Sequence, residues 1–159
     1  MLFRVTSSIV FTVGVEQTIH EFTRTHANAE SDSVDGSNRK VTYSATFKDH
    51  LAHPRNVGEL SSANASAEET NPMCGDRLRL SLALRNERIE EVKFLAYGCP
   101  PTIVCGSMLT ELLHGQDVSK ALQLTKADLL AAIGGLPSRK HHAATLAIET
   151  LHAALNKNH

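Results

Sequence analysis

A run of alternating leucines most constrains what this chain can fold into. Every second residue is a leucine at Leu78, Leu80, Leu82 and Leu84, and a period of two predicts a β-strand with one buried face. The polar turn Asn86-Glu87-Arg88 follows, and the apolar side chains of Ile89 to Tyr97 predict a second strand. Because the turn is short, we expect the two strands to pair as an antiparallel hairpin.

Three side chains that can bind a metal flank this predicted hairpin. Cys74-Gly75-Asp76 precedes the first strand, and Cys99 follows the second. The outer ends of an antiparallel pair emerge at the same edge of a sheet, so the two thiols and the carboxylate can converge. Two soft ligands and one hard ligand indicate a metal site, and Gly75 lets the backbone adopt a positive φ there.

Composition limits the classes of partner. The chain has 159 residues, of which 42% are hydrophobic, enough for one domain with a sizeable core. Its formal net charge of -1 provides no long-range attraction to nucleic acid or to anionic membranes. Three cysteines, without a convincing secretory segment, predict reduced thiols in the cytoplasm rather than a disulfide framework.

The first forty residues differ from the rest. Their apolar run, residues 9–13, is too short to span a membrane and lacks a clear cleavage site. Residues 27–38 are polar and contain glycine and serine, so burial cannot offset their ordering entropy. We expect residues 1–40 to be a flexible N-terminal extension and residues 41–156 to form the domain. A targeting segment, a disordered tail and an incorrectly assigned start codon would all fit residues 1–40.

Helical patterns occupy the flanks of the hairpin. Phe47 and Leu51 predict a short helix that ends before Pro54, and an apolar pattern predicts a helix from Thr102 to Gly115. A further helix should open with a capping box at residues 125–128 and end at residues 134–135. The last helix starts near Ser138, and its apolar stripe is Leu146, Ala147, Leu151, Ala154 and Leu155. Together these patterns predict a two-layer α+β fold.

Several separated motifs give the chain a family resemblance. In order and spacing, residues 41–156 resemble the IscU/NifU-type iron-sulfur cluster scaffold family. The motifs are Tyr43-Ser44, Asp49-His50, His53-Pro54-Arg55-Asn56-Val57-Gly58, Cys74-Gly75-Asp76, Tyr97-Gly98-Cys99 and Leu136-Pro137. The resemblance implies a three-stranded antiparallel sheet packed against helices, with the additional strand near Ala65 to Glu69.

The same resemblance implies a function. A member of this family receives iron and persulfide sulfur, the latter from a cysteine desulfurase, assembles a [2Fe-2S] cluster and passes it to apo-proteins. It is not an enzyme in the turnover sense. The segment from Leu136 to Lys140 resembles one that an Hsp70-type chaperone recognises in part of the family. Arg139 replaces an apolar side chain of that segment, which argues against this partner.

The chain departs from the family at one ligand position. The usual third cysteine follows a histidine; here the histidine is His142 and the cysteine position is Ala143. The expected ligands are therefore Cys74, Asp76, Cys99 and His142. Cys105 is an alternative third thiolate, although a free cysteine among apolar helix residues commonly behaves as a small hydrophobe. His141 competes with His142, because adjacent helical residues point about 100° apart.

Two thiolates, one carboxylate and one imidazole suit iron in a mixed-ligand [2Fe-2S] cluster and also suit zinc. Two other functions therefore stay open at this stage. Cys99 or Cys105 could accept a persulfide and relay sulfur without a stable cluster, as a sulfurtransferase does. Alternatively, the chain could be a zinc-binding paralogue that serves as an interaction module. The recipient proteins and the oligomeric state do not follow from the sequence.

Overall fold

The computed structural model describes residues 42–156. The extension predicted for residues 1–40 lies outside the described residues. Three strands and five α-helices follow one another in the described part of the chain, with one turn of 3-10 helix at Ser138–Lys140. They are α1 (Ala45–Ala52), β1 (Ala65–Thr70), β2 (Arg77–Arg85), β3 (Arg88–Tyr97), α2 (Pro100–Leu113), α3 (Val118–Ala121), α4 (Lys126–Ile133) and α5 (His141–Asn156).

The strands form one antiparallel sheet in the order β1-β2-β3. This confirms the predicted hairpin and the additional strand expected near Ala65 to Glu69. Asn86 and Glu87 form the turn between β2 and β3, with φ values of 49° and 59°. A two-residue turn needs positive φ at both residues if it is to match the twist of the flanking strands. Arg88 belongs to β3 and pairs with Arg85, so the turn is one residue shorter than predicted.

The hairpin contains one irregularity near its turn. Ala83 pairs with Glu91, whereas Leu84 pairs with Ile89. Glu90 therefore has no pairing partner in β2, which is the arrangement of a β-bulge. Beyond the bulge the register continues to the far end of the hairpin, where Arg77 pairs with Tyr97.

One face of the sheet is buried against α2 and α5. Leu78, Leu80 and Leu82 are fully buried, while Leu84 beside the bulge is half-buried. The predicted stripe of α5 is buried against β1 and β2. Most of α2 is also buried, since it contacts the sheet on one side and other helices on the rest. The two-layer α+β prediction is confirmed.

The helix boundaries follow local chemistry. Ser44 caps α1, accepting a hydrogen bond from the Phe47 N–H at 2.9 Å. The Thr125–Asp128 capping box opens α4 as predicted. α2 begins at Pro100 rather than Thr102, because proline is compatible with the first positions of a helix. Within residues 42–156, no helix is both long and apolar enough to cross a lipid bilayer.

Candidate metal centre

A tight loop carries Cys74 to the edge of the sheet. The loop between β1 and β2 closes through the Asn71 N–H, which donates to the Asp76 carbonyl at 2.8 Å. The Gly75 N–H donates to the Asn71 carbonyl at the same distance, and Gly75 has a φ of +72°. A residue with a side chain would be strained in that conformation. Cys74 is consequently held at the top of the loop, where it is exposed.

Asp76 lies at the centre of the site, with only 4% of the residue exposed. Its Oδ1 accepts a hydrogen bond from the Cys99 backbone N–H at 3.1 Å. Its Oδ2 accepts from the Thr102 hydroxyl at 2.7 Å and from the Cys99 thiol at 3.1 Å. A Cβ at Gly98 would collide with this carboxylate. The carboxylate can therefore occupy its position only because residue 98 is a glycine.

These hydrogen bonds determine the charge of Asp76. Burial raises the pKa of the carboxyl group, but hydrogen bonds from Cys99, Thr102 and Cys74 lower it by more in total. The net effect is a pKa below the ordinary value, so Asp76 is an anion at neutral pH. An anionic carboxylate is the protonation state in which this side chain binds a metal.

His142 faces the same carboxylate. Its Nε2 lies 3.7 Å from Asp76 Oδ2 and 4.0 Å from Cys99 Sγ. Its Nδ1 lies 2.9 Å from the Arg139 carbonyl, which can only accept, so the proton of the neutral ring belongs on Nδ1. The lone pair of Nε2 is then available to a metal. His141 is directed elsewhere, with its Nε2 2.9 Å from the Leu136 carbonyl.

Three of the candidate donor atoms lie close enough together to share one metal ion, and Cys99 lies beside two of them. One donor atom each of Cys74, Asp76 and His142 lies within 4.8 Å of the others, and Cys99 Sγ contacts both Asp76 and His142. Zinc bond lengths of about 2.0–2.3 Å imply neighbouring tetrahedral ligands roughly 3.3–3.8 Å apart. The separations of 3.1, 3.7 and 4.0 Å around Asp76, His142 and Cys99 bracket this range.

The three thiols differ in access. Cys74 is exposed, Cys99 is half-buried and Cys105 is fully buried in the hydrophobic core. Burial raises the pKa of all three thiols, and it holds that of Cys105 far above the usual range. Cys105 therefore matches the small-hydrophobe interpretation. Ala143, at the family's third cysteine position, is also fully buried.

Sequence reasoning missed two residues of the site. Thr102 and Gly98 contact Asp76 directly, yet Thr102 was interpreted only as the start of a helix. Its spacing from Cys99 could have indicated a role in the site. A hydroxyl three residues after an N-cap residue lies on the same side of the first helical turn as that residue. The direction in which that hydroxyl points depends on how the hairpin meets α2, which the sequence pattern does not specify.

Comparisons with known proteins agree with the fold and the motifs. Residues 42–159 match the family model described as the NifU-like N terminal domain. The chain is 41% identical over 115 residues to the iron-sulfur cluster assembly scaffold protein IscU of Aquifex aeolicus (strain VF5), covering 71% of this chain and 73% of that protein. It is 37% identical over 113 residues to scaffold protein IscU 1 of Archaeoglobus fulgidus, covering 71% and 74%.

Solved structures share the architecture. The crystal structure of a hypothetical protein at 2.3 Å resolution superposes with a TM-score of 0.58 at 27% identity, covering 70% of this chain and 95% of that one. A chain from Fervidobacterium islandicum AW-1, described as a scaffold for the SUF system, superposes with a TM-score of 0.62 at 22% identity, covering 71% and 96%. With the family model matching most of its length and both relatives above 30% identity, the chain belongs to the IscU/NifU family.

Proposed function

We propose that this protein is a scaffold that binds iron, assembles a [2Fe-2S] cluster and passes it to apo-proteins. The observation that carries the proposal is that donor atoms of Cys74, Asp76 and His142 lie within 4.8 Å of one another, and that the Cys99 thiol contacts the last two. Relatives named as scaffolds for iron-sulfur cluster assembly support it. The cluster is cargo, so the protein acts by binding and release and not as an enzyme.

The mixed donor set of thiolates, a carboxylate and an imidazole suits a cluster that must be released to another protein. A carboxylate is a harder ligand than a thiolate and holds soft iron-sulfur units less firmly. A neutral imidazole in place of a thiolate removes one negative charge, which raises the reduction potential of a cluster. We therefore expect the cluster on this chain to be more easily reduced than one held by three cysteines and Asp76, and more labile than one held by thiolates alone.

Access to the site is on the side of Cys74. This thiol is exposed, and the neighbouring Met73 is 92% exposed. An exposed methionine offers a flexible apolar contact to a protein partner. We infer that a cysteine desulfurase delivers sulfur at this loop and that apo iron-sulfur proteins receive the cluster there.

Anaerobic reconstitution tests the scaffold proposal. The full chain is incubated with ferrous iron, cysteine and a cysteine desulfurase, and its absorption and Mössbauer spectra are recorded. We expect [2Fe-2S] signals in the parent protein, and their loss or strong reduction in Cys74→Ala, Cys99→Ala and His142→Ala. Cys105→Ala is the matched thiol control and should retain them.

Two results would contradict these assignments. Absence of any cluster in the parent protein would exclude the scaffold function under conditions in which the desulfurase is active. A cluster that is lost in Cys105→Ala and retained in His142→Ala would instead make Cys105 the third protein thiolate.

A sulfur relay is a second candidate, favoured by the exposure of Cys74. Its thiolate can attack the terminal sulfur of a donor persulfide, which transfers that sulfur and releases the donor's thiolate. The buried Cys105 cannot receive a partner in this way. Persulfide formation that is abolished by Cys74→Ser and unaffected by Cys105→Ser, in protein that never forms a cluster, would favour the relay.

Zinc binding is a third candidate, favoured by the separations of the Asp76, His142 and Cys99 donor atoms, which bracket those expected between neighbouring zinc ligands. A chain that only held zinc would serve as an interaction module. Zinc that survives purification, resists chelators and prevents cluster loading would support this function. Ready replacement of zinc by an iron-sulfur cluster would exclude it.

A further inference from the structure

Thr102 is a buried polar residue to which the proposed function assigns no role. It lies in the first turn of α2 and is fully buried. Its hydroxyl donates to Asp76 Oδ2 at 2.7 Å, and its oxygen lies 3.5 Å from Cys99 Sγ. It therefore contacts two of the four proposed ligands, although threonine itself is a poor ligand for soft metals.

The start of α2 explains why a hydroxyl is needed there. A helix normally offers free backbone N–H groups in its first turn, but Pro100 and Pro101 have none. The Thr102 N–H donates to the Cys99 carbonyl at 2.9 Å. Of the backbone donors at this end of α2, the Cys99 N–H is the one that binds the Asp76 carboxylate. The Thr102 hydroxyl supplies a second donor that this buried anion requires.

The two donors hold different oxygens. Oδ1 of Asp76 accepts from the Cys99 N–H, and Oδ2 accepts from Thr102 and from the Cys99 thiol. Oδ2 is also the oxygen that lies 3.7 Å from His142 Nε2. If Cys99 bound a metal as a thiolate, it would no longer donate to Oδ2. Oδ2 would then have one lone pair available to the metal, with the Thr102 hydroxyl on the other.

We propose that Thr102 is a positioning residue that orients Asp76 to offer the single oxygen Oδ2 to a metal. The inference rests on the proposed role of Asp76 as a ligand. Without the hydroxyl, of these two donors only the Cys99 N–H still holds the carboxylate. Rotation about its Cβ–Cγ bond is then less restricted, and part of its binding energy is lost to the cost of ordering it. Thr102 acts only through Asp76 and binds no metal.

Cobalt(II) binding to the full chain tests this role. Thr102→Val keeps the shape and removes the hydroxyl, and Thr102→Ser restores it. Thr150→Val is the matched control, since Thr150 is also fully buried and donates to a helix carbonyl at 2.7 Å. Dissociation constants come from competition with a chelator, and the visible spectrum reports the ligand geometry.

We expect Thr102→Val to weaken cobalt binding about 10- to 100-fold, as is typical for loss of a group that supports a metal ligand. Its d–d bands should shift, while the thiolate-to-cobalt absorption persists. Thr102→Ser should restore both the affinity and the spectrum, and Thr150→Val should leave them unchanged. If Thr102→Val does not fold, Thr102→Ala provides the same comparison.

The possible failures are distinguishable. A parent protein that binds no cobalt would overturn the proposed metal site, and the role of Thr102 with it. A parent protein that binds cobalt, together with a Thr102→Val variant of unchanged affinity and spectrum, would overturn the positioning role alone. An equal loss in Thr150→Val, or no recovery in Thr102→Ser, would show that the effect is one of general stability.

Discussion

At the scale of single residues, the position of Asp76 depends on the absence of a side chain at Gly98. Gly98 has a φ of +147°, and an added Cβ would lie 2.8 Å from the Cβ of Asp76 and closer still to its carboxyl group. Gly75 has a φ of +72°, but an added Cβ there would meet no atom within 4 Å. A side chain at Gly75 would therefore strain only the backbone, whereas a side chain at Gly98 would also obstruct the site.

Alanine at each glycine should give different results. Gly75→Ala should cost about 1–2 kcal/mol of unfolding free energy, because only the left-handed backbone is penalised. Gly98→Ala should cost at least as much and should also weaken cobalt binding, because the carboxylate must move. Urea unfolding and cobalt titration measure the two effects. Unchanged cobalt affinity in Gly98→Ala would show that Asp76 is not a ligand or that its position is unimportant.

How much of the site could be predicted differs from residue to residue. The convergence of Cys74, Asp76 and Cys99 follows from hairpin geometry alone, since the ends of two paired strands must meet. The choice of His142 over His141 came from the family resemblance and not from periodicity, because the direction of each imidazole depends on where α5 begins in space. The roles of Gly98 and Thr102 also depend on the angle between the hairpin and α2, and no periodicity encodes that angle.

At the scale of elements, α2 approaches β3 unusually closely at Gly106. A Cβ at this position would lie 2.5 Å from Phe94 Cδ2, which is much closer than carbon atoms tolerate. Gly106 is in the interior of the helix, where glycine costs roughly 0.5–1 kcal/mol relative to alanine. The fold accepts this cost to bring the helix that follows Cys99 against the sheet.

Gly106→Ala should therefore destabilise the protein, although alanine is the better helix former. Overpacking costs about 1–3 kcal/mol, which exceeds the gain in helix propensity, and urea unfolding should show a net loss. Combining it with Phe94→Leu removes part of the obstruction, so the double variant should be more stable than additivity predicts. Strict additivity of the two changes would mean that α2 shifts away from β3 instead.

The elements were predicted unequally well. β2 and β3 were predictable because each buries one face, which leaves a period of two in the sequence. The apolar pattern predicts the start of α2 at Thr102, whereas the helix also includes the two prolines before it. α3 was missed because its four residues are too few to show a helical period. The bulge at Glu90 leaves no compositional signal.

At the scale of the whole molecule, a polar network that includes the buried His50 and Ser107 joins the first helix to the centre of the fold. His50 of α1 is only 3% exposed. Its Nδ1 lies 2.8 Å from the Ser107 Oγ of α2, and its Nε2 lies 3.4 Å from a carboxylate oxygen of Glu111. The Arg55 backbone N–H also donates to Ser107, at 2.8 Å, and the Arg55 side chain pairs with Asp49 and Glu111.

The free energy of unfolding should fall as the pH decreases below about 6.5, which is the ordinary pKa of a histidine side chain. Burial is the main cause that lowers the pKa of His50, followed by the positive charge of Arg55. The negative charges of Glu111 and Asp49 raise this pKa by less. The unfolded chain therefore binds a proton that the folded chain resists, which favours unfolding in acid. One such group changes the unfolding free energy by at most about 1.4 kcal/mol per pH unit.

Urea unfolding between pH 5 and pH 8 measures this dependence. His50→Asn should flatten it, whereas His114→Asn, at an exposed side chain outside the network, should leave it unchanged. A slope that is the same in the His50→Asn variant and the parent protein would assign the acid sensitivity to other groups.

The global architecture was more predictable than this network. A single α+β domain followed from length, patterning and family motifs, because those features are distributed along the whole chain. The network joins residues 57 positions apart, His50 and Ser107, and a polar residue in an amphipathic helix gives no sign of such a partner. The expectation for residues 1–40 remains a prediction.

The extra residue at Glu90 sets the register of the hairpin, in addition to the ion pair that its side chain forms with Arg85. The turn aligns Arg85 with Arg88, and a hairpin without the extra residue would bring Arg77 opposite Ala96 instead of Tyr97. Cys99 would then lie one residue out of register with Asp76, although the two strands would still pair. The metal centre therefore depends more on how many residues separate it from the turn than on which residue occupies position 90. A single insertion in β3, far from any ligand, would misalign the metal centre.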